Sequence, residues 1–139
     1  MKPIYSVAIA ACCIALAGCG GAGGEAPKVN AFRGHFAGSW NVVAAGGNTG
    51  TADVTIAQDG GLYGDVHDTT ANLDGKIHGT VSDAGVISDA FVKFINKSTV
   101  AGTVAYDDAH HLVGDLVQTS IKDGSIVTVH YDLQVVTAG

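Results

Sequence analysis

The sequence predicts an all-β protein: a single antiparallel eight-stranded meander barrel, with a β-sandwich as the alternative. Three observations carry this. Apolar and polar residues alternate with period two through most of residues 34–136, and no stretch sustains a helical stripe. A short pattern, apolar-any-Gly-any-apolar, recurs at Leu62-Tyr63-Gly64-Asp65-Val66, Ile77-His78-Gly79-Thr80-Val81, Val100-Ala101-Gly102-Thr103-Val104 and Leu112-Val113-Gly114-Asp115-Leu116. Residues two apart share a strand face, so each of these glycines lies on the same face as the apolar residues flanking it. Glycine there weakens the strand but permits a sharp bend or a close backbone approach, which suits a tightly coiled small barrel. Finally, turn-forming clusters punctuate the alternation at short intervals. A meander of this kind either closes, which removes its exposed edges, or stacks as a sandwich.

The elements follow in order. Strand one covers 35–44. Strand two covers 51–58, with Ala52, Val54 and Ile56 on one face, and Gln58-Asp59-Gly60-Gly61 is a hairpin signal because Asp-Gly readily supplies positive φ. Strand three covers 62–68, and a turn through 72–75 leads to strand four at 76–82. Asp83-Ala84-Gly85 reverses the chain into strand five, 86–94, and 95–97 turns into strand six, 99–106. Asp107-Asp108-Ala109 precedes strand seven, 111–118, and Lys122-Asp123-Gly124 precedes strand eight, 125–136. The inward set is Val54, Ile56, Leu62, Val66, Ile77, Val81, Val100, Val104, Leu112, Leu116, Val127, Val129, Tyr131 and Leu133, with no charge among them.

Before the strands the composition changes. Met1-Lys2 and an apolar run from Ile4 to Ala17 end in Leu16-Ala17-Gly18-Cys19, and glycines follow without a basic stop-transfer flank. Leu-Ala-Gly-Cys resembles the lipobox of bacterial lipoproteins. The resemblance implies a signal peptide over 1–18, cleavage before Cys19, diacylglycerol on its thiol and acylation of the new amino terminus. Residues 19–33, rich in Gly, Ala and polar groups, then form a flexible linker, and 34–139 form the barrel domain. Several acyl chains suffice to hold such a protein on a membrane. Gly20, in place of the Asp associated with inner-membrane retention, favours an outer-membrane address in the bacterial envelope. Cys12 and Cys13 fall in the removed segment, so a mature domain has no disulfide or thiolate chemistry of its own.

A second resemblance lies in the strands. Gly38-Ser39-Trp40 looks like the Gly-x-Trp that opens lipocalin and avidin barrels, and residues 54–64 resemble the second hairpin of avidin-type chains. The resemblance implies that Trp40 plugs one barrel end. Avidin-type sites place further tryptophans around biotin, and Trp40 is the only one here, so the likeness speaks for fold rather than for that ligand. Gly-rich barrels of bacterial surface lipoproteins that capture host proteins offer a looser analogy.

Residues able to carry chemistry are sparse. His67, His78 and Asp65 share the outward face of strands three and four, and a suitable register would make them ligands of a divalent ion; solvated surface histidines are the alternative. Several of the six histidines could also gain charge near pH 6. Most acids are Asp at turns, where the side chain bonds local backbone, and no apolar-flanked carboxylate pair, serine-nucleophile motif or phosphate loop is present. From Cys19 onward six Lys/Arg face thirteen Asp/Glu, a net of −7, which argues against nucleic acid and against electrostatic docking on anionic lipid. Phe91 and Phe94 fall on opposite faces of strand five, so one points outward, and Ile87 with Phe91 is the candidate partner surface.

The expectation is therefore a non-enzymatic, cofactor-free lipoprotein at the cell envelope, held to the membrane through Cys19. Its barrel would meet an envelope or extracellular protein through its outer surface, as an interaction module or complex component. The alternative is a calycin-like carrier of a small apolar ligand, whose inward glycines help open a cavity.

Overall fold

The computed structural model describes residues 28–137. The predicted signal peptide, Cys19 and most of the predicted linker lie outside the described residues. The strands are β1 (Gly34–Val42), β2 (Thr49–Ile56), β3 (Gly61–Asp68), β4 (Leu73–Val81), β5 (Val86–Lys93), β6 (Lys97–Thr103), β7 (Ala105–Tyr106), β8 (Leu112–Ser120) and β9 (Ile126–Val135). Successive strands pair antiparallel, with β6 and β7 both pairing β8, and β9 returns to pair with β1 from Val129↔Val42 to Val135↔Phe36. The sheet is thus a closed meander barrel rather than a sandwich. The two-residue β7 continues the line of β6: Gly102 faces Leu116 and Ala105 faces Val113, the register of one strand. Eight strands close the wall and β7 is a label for the end of the sixth.

Every residue of the expected inward set is buried except Val127, which is 39 % exposed. Its parity is inward, but it lies near the start of β9, opposite Gln118, where the barrel end opens. Phe32, Phe36, Trp40, Ala52, Ile87, Ala90 and Val92 join the core. Ile87 corrects the sequence reading, which placed it outside with Phe91. The register slips between Ile87 and Ala90, and Asp89 adopts φ +47° there, so Ile87, Ala90 and Val92 all face inward. One extra residue in a strand reverses the face of everything beyond it.

The glycines on the inner face draw strands together. A Cβ on Gly64 would lie 2.3 Å from the Asp53 carbonyl oxygen and 2.6 Å from the Val54 Cα. Gly50 leaves room for the Trp40 ring, which a Cβ would meet at 2.4 Å. The space these glycines leave is filled by neighbouring strands and rings. The barrel interior retains a cavity of about 30 Å³, lined by apolar residues such as Val54, Ile77, Leu116 and Tyr131.

The two poles are closed differently. At one, where β1 begins, residues 28–33 form a strap across the opening, although the sequence assigned them to the linker. The Asn30 amide N–H donates to Gln58 O at 2.9 Å, and its side-chain Nδ2 donates to Val81 O at 2.7 Å. Phe32 N–H donates to Asn30 Oδ1, and the Phe32 ring stacks on Tyr106 with centroids 5.4 Å apart. At the other pole Trp40 is buried, its Nε1 donating to Thr51 O at 3.0 Å and its ring 6.2 Å from Phe94. Buried Asp68 shapes the adjoining turn by accepting from Asn48 Nδ2 and Ala71 N, both at 2.8 Å.

Candidate functional site

With the interior filled, the chemistry of this chain lies on the outer wall and the poles. Cross-strand register decides which outward side chains meet, since directly opposed residues are the contact unit of a sheet. Tyr63 faces His78, and His78 faces Phe91, which places three rings in a row across β3, β4 and β5. The His78 and Phe91 rings stack with centroids 5.3 Å apart, and Lys97 Nζ sits over the Phe91 ring, 3.9 Å from its centroid. Tyr63 is half exposed. This row retains Phe91 from the predicted partner surface, drops Ile87 and adds Tyr63 and His78.

The candidate metal ligands are not brought together. His67 faces Asp74, with Nδ1 2.8 Å from Asp74 Oδ1. His78 belongs to the aromatic row, and Asp65 pairs with Lys76. Three residues along β3 separate His67 from Tyr63, the partner of His78. Among the described residues no three His, Cys, Asp or Glu side chains could hold one ion.

Four of the six histidines instead pair with aspartates. Beside His67–Asp74, His130 Nδ1 lies 2.7 Å from Asp115 and His111 Nδ1 lies 2.7 Å from Asp132 across β8 and β9. His35 Nε2 lies 2.5 Å from Asp53 across β1 and β2. Each is an imidazole N–H donating to a carboxylate on an exposed or half-exposed wall, where such pairs contribute little to stability. His110, at φ +64°, stacks almost parallel on Tyr106 at 4.5 Å.

Two phenols and the strap carry perturbed ionisation. Burial pushes the Tyr131 phenol far above its ordinary range, and its hydroxyl donates to Gln118 Oε1 at 3.2 Å. Burial also raises Tyr106. Both phenols stay protonated at neutral pH. Asp83 is held below the ordinary carboxylate value by its hydrogen bond to Lys28 and by the Ala31 N–H, and Lys28 is raised by the same partner.

Sequence alone missed the strap because Phe32 is a single aromatic in a Gly-, Ala- and polar-rich run. It missed Tyr63 and His78 as partners of Phe91 because alternation assigns a face but no register. Among the described residues no helix is long and apolar enough to cross a membrane. No protein family, curated protein or solved structure matches the chain.

Proposed function

We propose that this protein is a lipoprotein of the bacterial envelope, anchored in the outer membrane through Cys19, whose barrel is a non-enzymatic interaction module working through its outer surface. The observation that carries the second half of this reading is the filled interior. A cavity of about 30 Å³ is roughly the space of one water molecule. That weighs against the calycin-like carrier. The lipobox-like Leu16-Ala17-Gly18-Cys19 supports the anchor. The described chain begins at the strap pole, so a tether arriving there leaves the Tyr63–His78–Phe91 row on the wall free to meet an envelope or extracellular protein.

Native mass spectrometry of the protein gently extracted from its own membrane tests this. A reproducible protein partner, without a small-molecule adduct and lost on Phe91→Ala, supports the module. A stoichiometric small-molecule adduct returns the carrier instead. Cys19→Ala separately removes the acyl mass and moves the protein out of the membrane fraction if the anchor is real.

A further inference from the structure

The outer wall is uneven in charge from strand to strand. Every other strand places an Asp, Lys or His on it, whereas β6 and β7 carry none between Lys97 and Asp107. Their outward side chains are Thr99, Ala101, Thr103 and Ala105, all small and exposed. Register sets valines beside them: Val86 faces Thr103, Val117 faces Ala101 and Val113 faces Ala105. Val86 is 47 % and Val117 40 % exposed, so an apolar strip crosses β5, β6–β7 and β8, and contiguous surface of this kind marks an interaction site. Two acids border it: Asp115 on β8 is turned to His130 Nδ1 on β9, and Asp89 sits at the register slip of β5.

The two ends of the strip carry opposite charges. At one end Lys93 and Lys97 face each other across β5 and β6, and like charges placed opposite one another are destabilising. At the other end Asp107 and Asp108 follow β7 in the chain. Among the described residues none of these four is in an ion pair. The remaining charges near the ends are balanced locally. Lys122 and Asp123 adjoin each other in the β8–β9 turn, Lys76 is taken by Asp65, Asp74 lies at His67, and Asp83 is bonded to Lys28. A strip with one positive and one negative end complements itself when a copy is turned end for end, and a twofold axis makes that turn.

We infer that this strip is a self-association surface, on which a second copy of the chain packs antiparallel about a twofold axis with Lys97 of each copy against Asp108 of the other. The closed sheet has no edge to lend, so the contact is face to face, as between packed sheets. Thr and Ala at its centre let the two walls approach closely, and the valines beside them leave water. The wall is convex and the strip three strands wide, so the contact lies at the small end of specific interfaces and the dimer is weak. This goes beyond the proposed function, because the surface lies beside the aromatic row and the partner is the chain itself.

Thr103 stands midway between Lys97 and Asp108 along the chain, so in such a pair it lies beside the axis and meets its own counterpart. The test uses the full chain with Cys12, Cys13 and Cys19 replaced by Ser, so that no acyl chain or native thiol takes part, and with Thr103→Cys added. A short bis-maleimide should join two copies through position 103. Thr51→Cys, exposed on β2 across the barrel, should stay unjoined, whereas association through the apolar run Ile4 to Ala17 would join both positions alike. Lys97→Glu or Asp108→Lys alone should lower the yield at 103 by about fivefold at low salt, because each turns two symmetry-related attractions into repulsions. Mixing these two variants, carried on chains with tags of different size, should restore the yield in the mixed pair, where opposite charges meet again. Unfolding curves matching the parent show that the fold is intact, and Lys93→Glu replaces Lys97→Glu if the latter fails that check. Equal yields at 103 and 51, a yield at 103 indifferent to both charge reversals, or a mixture no better than its parts overturns the inference.

Discussion

The two ends of this barrel solve one problem in opposite ways. At the strap pole the opening is covered by chain: Asn30 donates from its main chain to Gln58 O and from its side chain to Val81 O, and the Phe32 ring stacks on Tyr106. At the other pole it is covered from within, by Trp40 over Gly50 and against Phe94, and the loops above are left to carry exposed isoleucines. A closed sheet satisfies its own edges but not its ends. An end sealed by its own buried ring frees its loops for other contacts, whereas an end sealed by a strap commits its turns to holding that strap.

The largest expected effect tests the internal seal. Trp40→Ala should lower stability by about 3–5 kcal/mol in urea unfolding, the range for deleting a large buried aromatic. A midpoint equal to that of the parent would mean that the ring closes nothing. Phe32→Ala, at the strap end, should cost less, about 2–3 kcal/mol, because the residue belongs to a segment with few other apolar contacts. A Phe32→Ala loss as large as that of Trp40→Ala would erase the distinction between the poles.

Gly64→Ala examines the wall between them. The added methyl meets backbone atoms of β2, which cannot swing aside, and about 1–3 kcal/mol should be lost. A neutral or stabilising result would show that the strands are not held at contact distance. The smallest effect concerns the strap's exposed ion pair. Asp83 has a lowered carboxyl value, so its contribution is complete above the ordinary 3.8 and lost as pH falls through the folded value. Lys28 is raised, so its contribution is complete below the ordinary 10.5 and lost as pH rises through the folded value. Amide exchange at Ala31 and Phe32, corrected for intrinsic rates, should therefore be flat across neutral pH and rise at either extreme. Asp83→Asn should remove the acid-side step, and a step unchanged by that substitution would exclude the ion pair as its cause.

Much of the wall was legible in the sequence because the alternation of period two is long and nearly unbroken. The eight strands fall within two or three residues of their expected ends. What failed, failed where a local pattern meets a non-local constraint. Ile87 reads as outward by counting from Phe91, but the slip at Asp89 reverses it, and an Asp carries no signal of a bulge. The inner glycines suggest an opened cavity, yet the atoms that fill the space beside Gly64 belong to Asp53 and Val54 on another strand. His67, His78 and Asp65 share a face, but the register that sends each to a different partner is set by the turns and core. Phe32 gave no periodic neighbour to mark it as structural.

The pairing of β9 with β1 has a consequence in time. Among the described strands the first made, β1, is completed only by the last, β9, and the contacts between them span nearly the whole barrel. Hairpins β1–β2 through β6–β8 can form locally as each partner emerges, but the β1 edge waits until residues near Val129 to Val135 arrive. Long-range closure of this kind is slow relative to hairpin formation. Until it occurs, β1 and β8 are both free edges able to pair with another chain. The vulnerable period of this barrel is thus the interval before β9 is delivered, and its pairing with β1 and β8 is the event that ends it.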